Sequence, residues 1–500
     1  VYYVNGARNI LAGNGFYRNS GEDVLKPITH FPPLFAYFLS AVGLTGMDPL
    51  RGGRLIIILL LGVNAILFAW LAWKLTRSKW LALLATGLMV FSSVTLREYS
   101  WLMSEPLYLS LMLVSFLVAY DLFSSRKTTA VLMLGMLAGL MYATRYVGTS
   151  MLFTWLAGIF LFIPGWRGKL RHAGLLLLTS LPFLVAVMRR NYVLSGSTGN
   201  RNFILHPAPF SKVADGIHRF WGWFLPPGMQ ASHAWLDWTL IALFFVLLLG
   251  ALGILIWRLV RILRGGDCTR LERLLIMLGL HGFIYLAAIY LTMNFFDATT
   301  VFDNRILLPV YLGVLLFILV GLASLWRGGG PVLRLAIVAG SLAVMGFAIA
   351  GAWQTSIQLS RDGQGFIDRY RRESPAMQYI REHPQDLIYT NHPPDVYIQT
   401  GRSSYMVPSP VDSLTLQPRD TYARDLAEMR SKIRQQDGLL VFFYEQGYET
   451  DPWYQDLTEG LVPLENLPTP LRVFADWNPV SSVTLAARQQ FGNVSTIGTA

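Results

Sequence analysis

Uncharged stretches close to twenty residues long recur along this chain and constrain its fold more than any other feature. Leu55 to Trp73, Ala234 to Ile256 with one acid near its start, and Leu335 to Trp353 each approach the ~20 residues a helix needs to cross a hydrocarbon core of ~30 Å. In lipid every backbone N–H and C=O must be satisfied within the segment, so such runs are read as helices. With 53% hydrophobic and 14% charged residues, the 500-residue chain is too apolar for an ordinary soluble enzyme.

Ten spanning helices are predicted, at 55–73, 80–96, 106–123, 128–144, 147–163, 173–188, 235–257, 274–293, 306–326 and 335–353. The net charge of +11 does not point to nucleic acid, because the basic residues sit in short clusters between apolar runs. Lys74, Arg77 and Lys79 form one such cluster, Arg126 and Lys127 a second, and Arg167, Lys169 and Arg171 a third. Arg258, Arg261, Arg264, Arg270 and Arg273 form the fourth, and Arg327 and Arg334 the last. Every second loop is basic, which assigns those loops to the cytoplasm and 1–54, 97–105, 145–146, 189–234, 294–305 and the tail to the outer face. The single cysteine, Cys268, excludes a disulfide framework and any cysteine-based metal site.

The outer stretches carry their own signals. Residues 1–20 read as an amphipathic helix ending at Gly13-Asn14-Gly15, and Pro32-Pro33 open a second helix, Leu34 to Leu44, too short to span; both suit the interface. Phe220-Trp221-Gly222-Trp223-Phe224 is an aromatic group suited to the headgroup level. The chain opens at Val1 with neither methionine nor a signal-type stretch, so a truncated N-terminus is expected. From about residue 360 the composition becomes that of a soluble domain. Helices near Ser374 and over 425–435 alternate with strands at 387–390 and 439–444, the pattern of a small α/β domain. The expected architecture is mainly α: a polytopic transmembrane helical bundle over 1–353, with outer amphipathic helices, and an extracytoplasmic α/β domain over 354–500.

Polar residues gather on the outer loops. Glu22, Asp23, Lys26 and His30 lie in the first, Arg97, Glu98 and Glu105 bracket the second, Arg145 ends a span, and Asp303 and Arg305 begin one. Ionisable groups at span ends cost little when they reach water, so simple interfacial anchoring accounts for about half of such residues. Glu105 carries more weight, because Pro106 and an apolar run follow it directly. That order puts a carboxylate at the positive end of a helix.

The order of His30 to Leu34, Ser104-Glu105-Pro106, Thr144-Arg145-Tyr146 and Asp303 to Pro309 resembles the GT-C superfamily of membrane glycosyltransferases. It is most similar to the branch of protein O-mannosyltransferases and lipid A aminoarabinose transferases. The resemblance implies transfer of a sugar from a polyprenyl-phosphate-linked donor to a protein, lipid or glycan acceptor, at the outer face of the plasma (inner) membrane. It implies that Glu105 corresponds to the second acidic position of the family, with Asp303 and His30 as further catalytic candidates. Lys26, Arg145 and Arg305 would contact carrier phosphate, since a guanidinium fork pairs bidentately with phosphate oxygens. Tyr3 and Trp101 would pack on the sugar or polyprenyl chain, and a divalent metal at Glu105 is possible. The first acidic position of the family is expected upstream of Val1, and Glu22 and Asp23 are weaker substitutes for it.

Two other classes compete with this reading. A secondary transporter usually places charged or helix-breaking residues near mid-span, and the spans here have almost none: Asn64 is solitary, and Asp121 lies at a cytoplasmic end. A membrane scaffold with a partner-binding outer domain explains the tail but not the polar outer loops.

Overall fold

A computed structural model describes residues 2–21, 24–125, 127–199, 201–224, 234–365, 368–382, 387–436, 438–445, 452–463 and 482–488. The chain divides into two compact units: Thr29–Ile357, and Val1–Ile28 together with Gln358–Ala500. The single boundary read from composition at 353/354 therefore differs from this division at the N-terminus. The first 28 residues group with the tail because their contacts lie there: the Gly21 amide donates to the Ser404 carbonyl at 3.2 Å and the Arg8 guanidinium lies over the Tyr397 ring.

In chain order, helix α1 (Tyr2–Leu11) and the antiparallel hairpin β1 (Tyr17–Asn19) and β2 (Leu25–Pro27) come first. Glu22 and Asp23 lie outside the described residues. The helical unit follows with α2 (Leu34–Gly43), α3 (Pro49–Thr76), α4 (Lys79–Val90), α5 (Ser93–Ser100), α6 (Glu105–Ser125), α7 (Thr128–Thr144), α8 (Thr149–Phe162) and α9 (Trp166–Ser195). It continues through α10 (Phe210–Trp221), α11 (Ala234–Leu263), α12 (Arg270–Phe295), α13 (Asn304–Gly328) and α14 (Pro331–Asp362).

All ten predicted spans are helices, but not all have spanning length. Among the described residues six helices are long and apolar enough to cross a membrane, namely α3, α9, α11, α12, α13 and α14. The chain is thus a multi-pass membrane protein. The predicted span 80–96 is a broken pair instead, with α4 and α5 bent by 55°. The break falls where Ser92 starts a new helix, its hydroxyl accepting from the Thr95 amide. The apolar parts of α6, α7 and α8 are shorter than a full span.

Close approach explains the packing of the shorter helices. Gly135 and Gly139, one turn apart on α7, meet α9 so tightly that an added Cβ would lie 2.3 Å from the Leu176 carbonyl and 2.9 Å from that of Ser180. Small residues at this spacing let two helices touch backbone to backbone, and Thr179 completes the contact by donating to the Leu132 carbonyl at 3.0 Å. Gly148 plays the same part after α7, where a Cβ would strike the Met141 backbone, so the chain can turn sharply beyond Arg145.

Two mid-span polar residues correct the sequence reading. Asn64 is not solitary: fully buried in α3, it donates to the Tyr99 hydroxyl at 2.7 Å and the Pro106 carbonyl at 2.8 Å, and accepts from Ser110 at 2.7 Å. His281, buried in α12, lies 3.2 Å from the Thr154 hydroxyl. Trp223 also turns inward, stacking on Tyr311 of α13 with ring centroids 4.0 Å apart.

In the other unit, α15 (Arg369–Arg372), α16 (Pro375–Glu382), α17 (Pro393–Thr400), α18 (Tyr422–Gln435) and α19 (Pro452–Thr458) accompany strands β3 (Ile388–Thr390), β4 (Tyr405–Met406), β5 (Leu439–Glu445), β6 (Val462–Pro463) and β7 (Ser482–Arg488). The sheet order is β4-β3-β5-β7-β6, with β3 parallel to both neighbours and β7 antiparallel to β5 and β6. Leu387, Leu440, Met429 and Ile433 lie in one apolar cluster, and Ile388, Leu439, Val441, Val396, Met377 and Ile380 in another. Neighbouring strand residues alternate between these clusters, as the pleat requires.

Candidate functional site

Glu105 opens α6 and is buried, with its side chain only 6% exposed. A carboxylate removed from water needs opposite charge, and two arginines supply it. The Arg145 Nη1 atom lies 2.9 Å from Glu105 Oε1, and the Arg305 Nε atom lies 3.2 Å from the same oxygen. The second oxygen, Oε2, is buried with no hydrogen-bond partner among the described residues.

Local structure delivers each of these side chains. Arg145 is the extended residue that closes α7, held by its amide donating to the Met141 carbonyl. Arg305 stands in the first turn of α13, which Asp303 caps by accepting from the Ile306 amide at 2.7 Å. The Asp303 carboxylate also lies 3.3 Å from Arg305 Nη2. Pro309 lies within α13, and from the neighbouring helix the Tyr285 hydroxyl donates to the Ile306 carbonyl at 2.9 Å. The start of α6 is fixed by Asn64 and Ser110, which both donate to the Pro106 carbonyl.

The surrounding loops close on this cluster. The Tyr146 hydroxyl donates to the Thr29 carbonyl at 2.7 Å, which pins the residue before His30 to the turn after Arg145. The Asn191 amide donates to the same hydroxyl at 2.7 Å. The stretch before α10 is tied to the α12–α13 connection, with the Ile204 and His206 amides donating to the Phe295 and Asn294 carbonyls and Arg201 paired with Asp297.

Of the residues singled out in the sequence, Glu105, Arg145, Arg305 and Asp303 come together. His30 and Trp101 are half-buried in the same unit, and Trp101 ends α5. Lys26, exposed on β2, and Tyr3, buried in α1, belong to the other compact unit. Glu98 of α5, which the sequence marked on the outer loop but to which it gave no role, joins them: it interacts electrostatically with Asp303, Glu105, Arg305 and Arg145. Asn64 was missed as a support for the site. Its mid-span position was visible, but its partners Tyr99 and Ser110 lie on other helices. Among the described residues no group of three His, Cys, Asp or Glu side chains could hold a metal ion.

An apolar cavity of about 480 Å³ lies between α11, α12 and α13, lined among others by Leu255, Leu278, Leu286, Val310 and Phe317. Tyr285 and Pro309 also line it, and the hydrogen bond from Tyr285 to Ile306 links its wall to the turn that carries Arg305.

No family model matches the sequence, and neither does any curated protein. Solved structures do match. An archaeal oligosaccharyltransferase, AglB from Archaeoglobus fulgidus in complex with an inhibitory peptide and a dolichol-phosphate, superposes with a TM-score of 0.51 at 12% identity over 91% of this chain. The chain spans 66% of the length of that protein. ArnT from Cupriavidus metallidurans, bound to undecaprenyl phosphate, superposes with a TM-score of 0.49 at 12% identity over 97% of this chain and 92% of its own. The chain thus shares the overall helical membrane fold of that AglB oligosaccharyltransferase.

Proposed function

We propose that the chain is a glycosyltransferase that moves a sugar from a polyprenyl-phosphate carrier to a protein, lipid or glycan acceptor at the outer face of the inner membrane. The observation that carries this reading is the convergence of Arg145 and Arg305 on one oxygen of the buried Glu105, while the other oxygen has no hydrogen-bond partner among the described residues. A fold of this kind in AglB holds a dolichol-phosphate. In our reading the acceptor oxygen forms a bond to the sugar C1 as the bond from C1 to the phosphate oxygen breaks, and its electron pair leaves with the phosphate. Arg145 and Arg305 neutralise the charge that grows there, and Glu105 holds both guanidiniums in position beforehand, so that little reorganisation is needed in the transition state. We assign the acceptor's proton to Asp303, whose side chain is 25% exposed, with His30 as the alternative. Trp101 packs on the sugar, and the apolar cavity beside Tyr285 receives part of the polyprenyl chain.

The test is a transfer assay on the full chain in liposomes with a polyprenyl-phosphate sugar labelled in the sugar. Label should pass to an acceptor and free polyprenyl phosphate should appear in equal amount. Label that stays on the lipid, with every acceptor class tried, would defeat the reading in favour of a carrier or scaffold.

A further inference from the structure

At the opposite end of the bundle lies a second cavity, of about 600 Å³, which the proposed reaction does not use. It is enclosed by the ends of α3, α4, α13 and α14 and lined by Thr76, Arg77, Ser78, Trp80, Trp326 and Arg327, with Leu81, Leu322 and Ile337 deeper in. Helix α13 carries Arg305 near its start and Arg327 near its end, a separation of about 33 Å at 1.5 Å per residue, which is a membrane thickness. This second cavity therefore lies at the face opposite to Arg305.

Three features give this cavity its chemistry. Its arginines are anchored by neutral groups: Arg77 donates to the Tyr120 hydroxyl at 2.7 Å and Arg327 to the Thr76 carbonyl. Among the described residues no carboxylate forms an ion pair with either. Each guanidinium spends one nitrogen on its anchor and keeps its charge, with donors to spare. Trp80 and Trp326 are 46% and 41% exposed at the same level, the placement of aromatic rings at a headgroup boundary, and Arg334 lies over the Trp326 ring. Finally, Arg77 sits at φ +56°, a left-handed conformation where glycine or asparagine would be unstrained. The residue standing at this strained position is nonetheless one whose side chain lines the cavity.

We infer that this cavity binds the phosphate headgroup of an anionic phospholipid, with its acyl chains running along Leu81, Leu322 and Ile337. The basic loops on this side assign it to the cytoplasmic leaflet, where anionic lipids attract clustered arginines. The inference does not rest on the glycosyltransferase reading.

The experiment is native mass spectrometry of the full chain, purified in detergent and incubated with phosphatidylglycerol, with phosphatidylcholine of the same acyl chains, or with inorganic phosphate. The parent should retain phosphatidylglycerol at least tenfold over phosphatidylcholine. Arg77→Asn combined with Arg327→Gln should abolish that preference, and Arg171→Gln, an exposed arginine of another basic loop, should keep it. Equal retention of the two lipids by the parent overturns the inference without any variant, so a double variant that fails to fold does not shield it. Retention unchanged in a folded double variant overturns it as well. Displacement of phosphatidylglycerol by an equal concentration of inorganic phosphate would make this a free-anion site and overturn the assignment to lipid. If the two arginines serve only to complement the C-terminal ends of α3 and α13, thermal stability falls in the double variant while the lipid preference stays.

Discussion

The side-chain amide of Asn64 donates to the Pro106 carbonyl at 2.8 Å, one residue beyond Glu105, so a polar group in the middle of α3 fixes the backbone that carries the buried carboxylate. Asn64→Leu keeps the volume and removes the network. It leaves the Tyr99 hydroxyl and Ser110 without their partner, at a cost on the order of 1–3 kcal/mol. Sugar transfer should fall mainly in kcat, because Asn64 positions the carboxylate and touches no ligand. Asn64→Gln, which retains the amide, should recover part of the loss. A Leu variant with parental kcat would show that the start of α6 holds itself.

Glu105→Gln should lower transfer by about 10²-fold or more, the loss typical of a preorganised electrostatic group. The structure adds a second expectation. Without the carboxylate, Arg145 and Arg305 face each other across a mostly buried site, so stability should fall by on the order of 3 kcal/mol. Rates must therefore be taken per folded molecule, and a Gln variant within a few-fold of the parent removes Glu105 from the reaction.

Arg145→Lys and Arg305→Lys keep the charge and lose the fork. Each should weaken binding of polyprenyl phosphate by about tenfold, whereas Arg171→Lys should bind as the parent does. Unchanged affinity in both site variants, measured by quenching or by calorimetry, would separate these arginines from the phosphate.

Orientation can be read by cysteine labelling in a Cys268→Ser background. Gly330 is a sound position, since an added Cβ meets nothing within 4 Å, whereas Gly329 would press on the Leu325 carbonyl. Labels at Gly330 and at the exposed Arg171 should react only from the cytoplasmic side, and one at the exposed Gln417 only from outside. Reaction of all three from one side would reverse or abolish the assignment.

In the α/β unit, burial pushes the Asp395 carboxyl up to about 7, more strongly than the Arg371 guanidinium 3.4 Å away pulls it down. Between pH 4 and 7 the folded unit holds a proton that the unfolded chain has released, so this group lowers stability as pH rises through that window. His392, pushed down to about 4 by burial, works in the opposite sense as pH falls below 6.5. Asp395→Asn should match the parent at pH 4 and gain on it steadily up to pH 7, as followed by hydrogen exchange of β3 and α17 in the full chain. A difference independent of pH would mean that Asp395 stays ionised in the fold.

Much of the bundle was legible because length and apolarity act along one axis. A run such as 335–353 can only be a helix, and placing its ends fixes which residues share a membrane face. Glu105, Arg145, Asp303 and Arg305 were found that way, since each stands at a helix end on the same predicted membrane face. Relations that depend on how helices face one another were not legible. The approach of Tyr99 to Asn64 and the depth of His281 follow from packing, which no local periodicity records. The hairpin of β1 and β2 was missed for another reason: its strands are three residues long and one contains Pro27, too little for an alternating pattern. The bend before α5 was missed because Val94 and Leu96 carry the apolar pattern past the Ser92-Ser93 pair where the helix breaks.

Pro309 has no amide hydrogen, so the Arg305 carbonyl four residues earlier loses its ladder partner, and the proline ring presses against that carbonyl. The first turn of α13 is thereby released from the rigidity of the rod behind it, and a side-chain contact, Tyr285 to Ile306, ties it down from the neighbouring helix. Arg305 is thus held by a tertiary latch as well as by its own helix. That latch keeps its guanidinium beside Glu105 without calling on the membrane-spanning part of the helix.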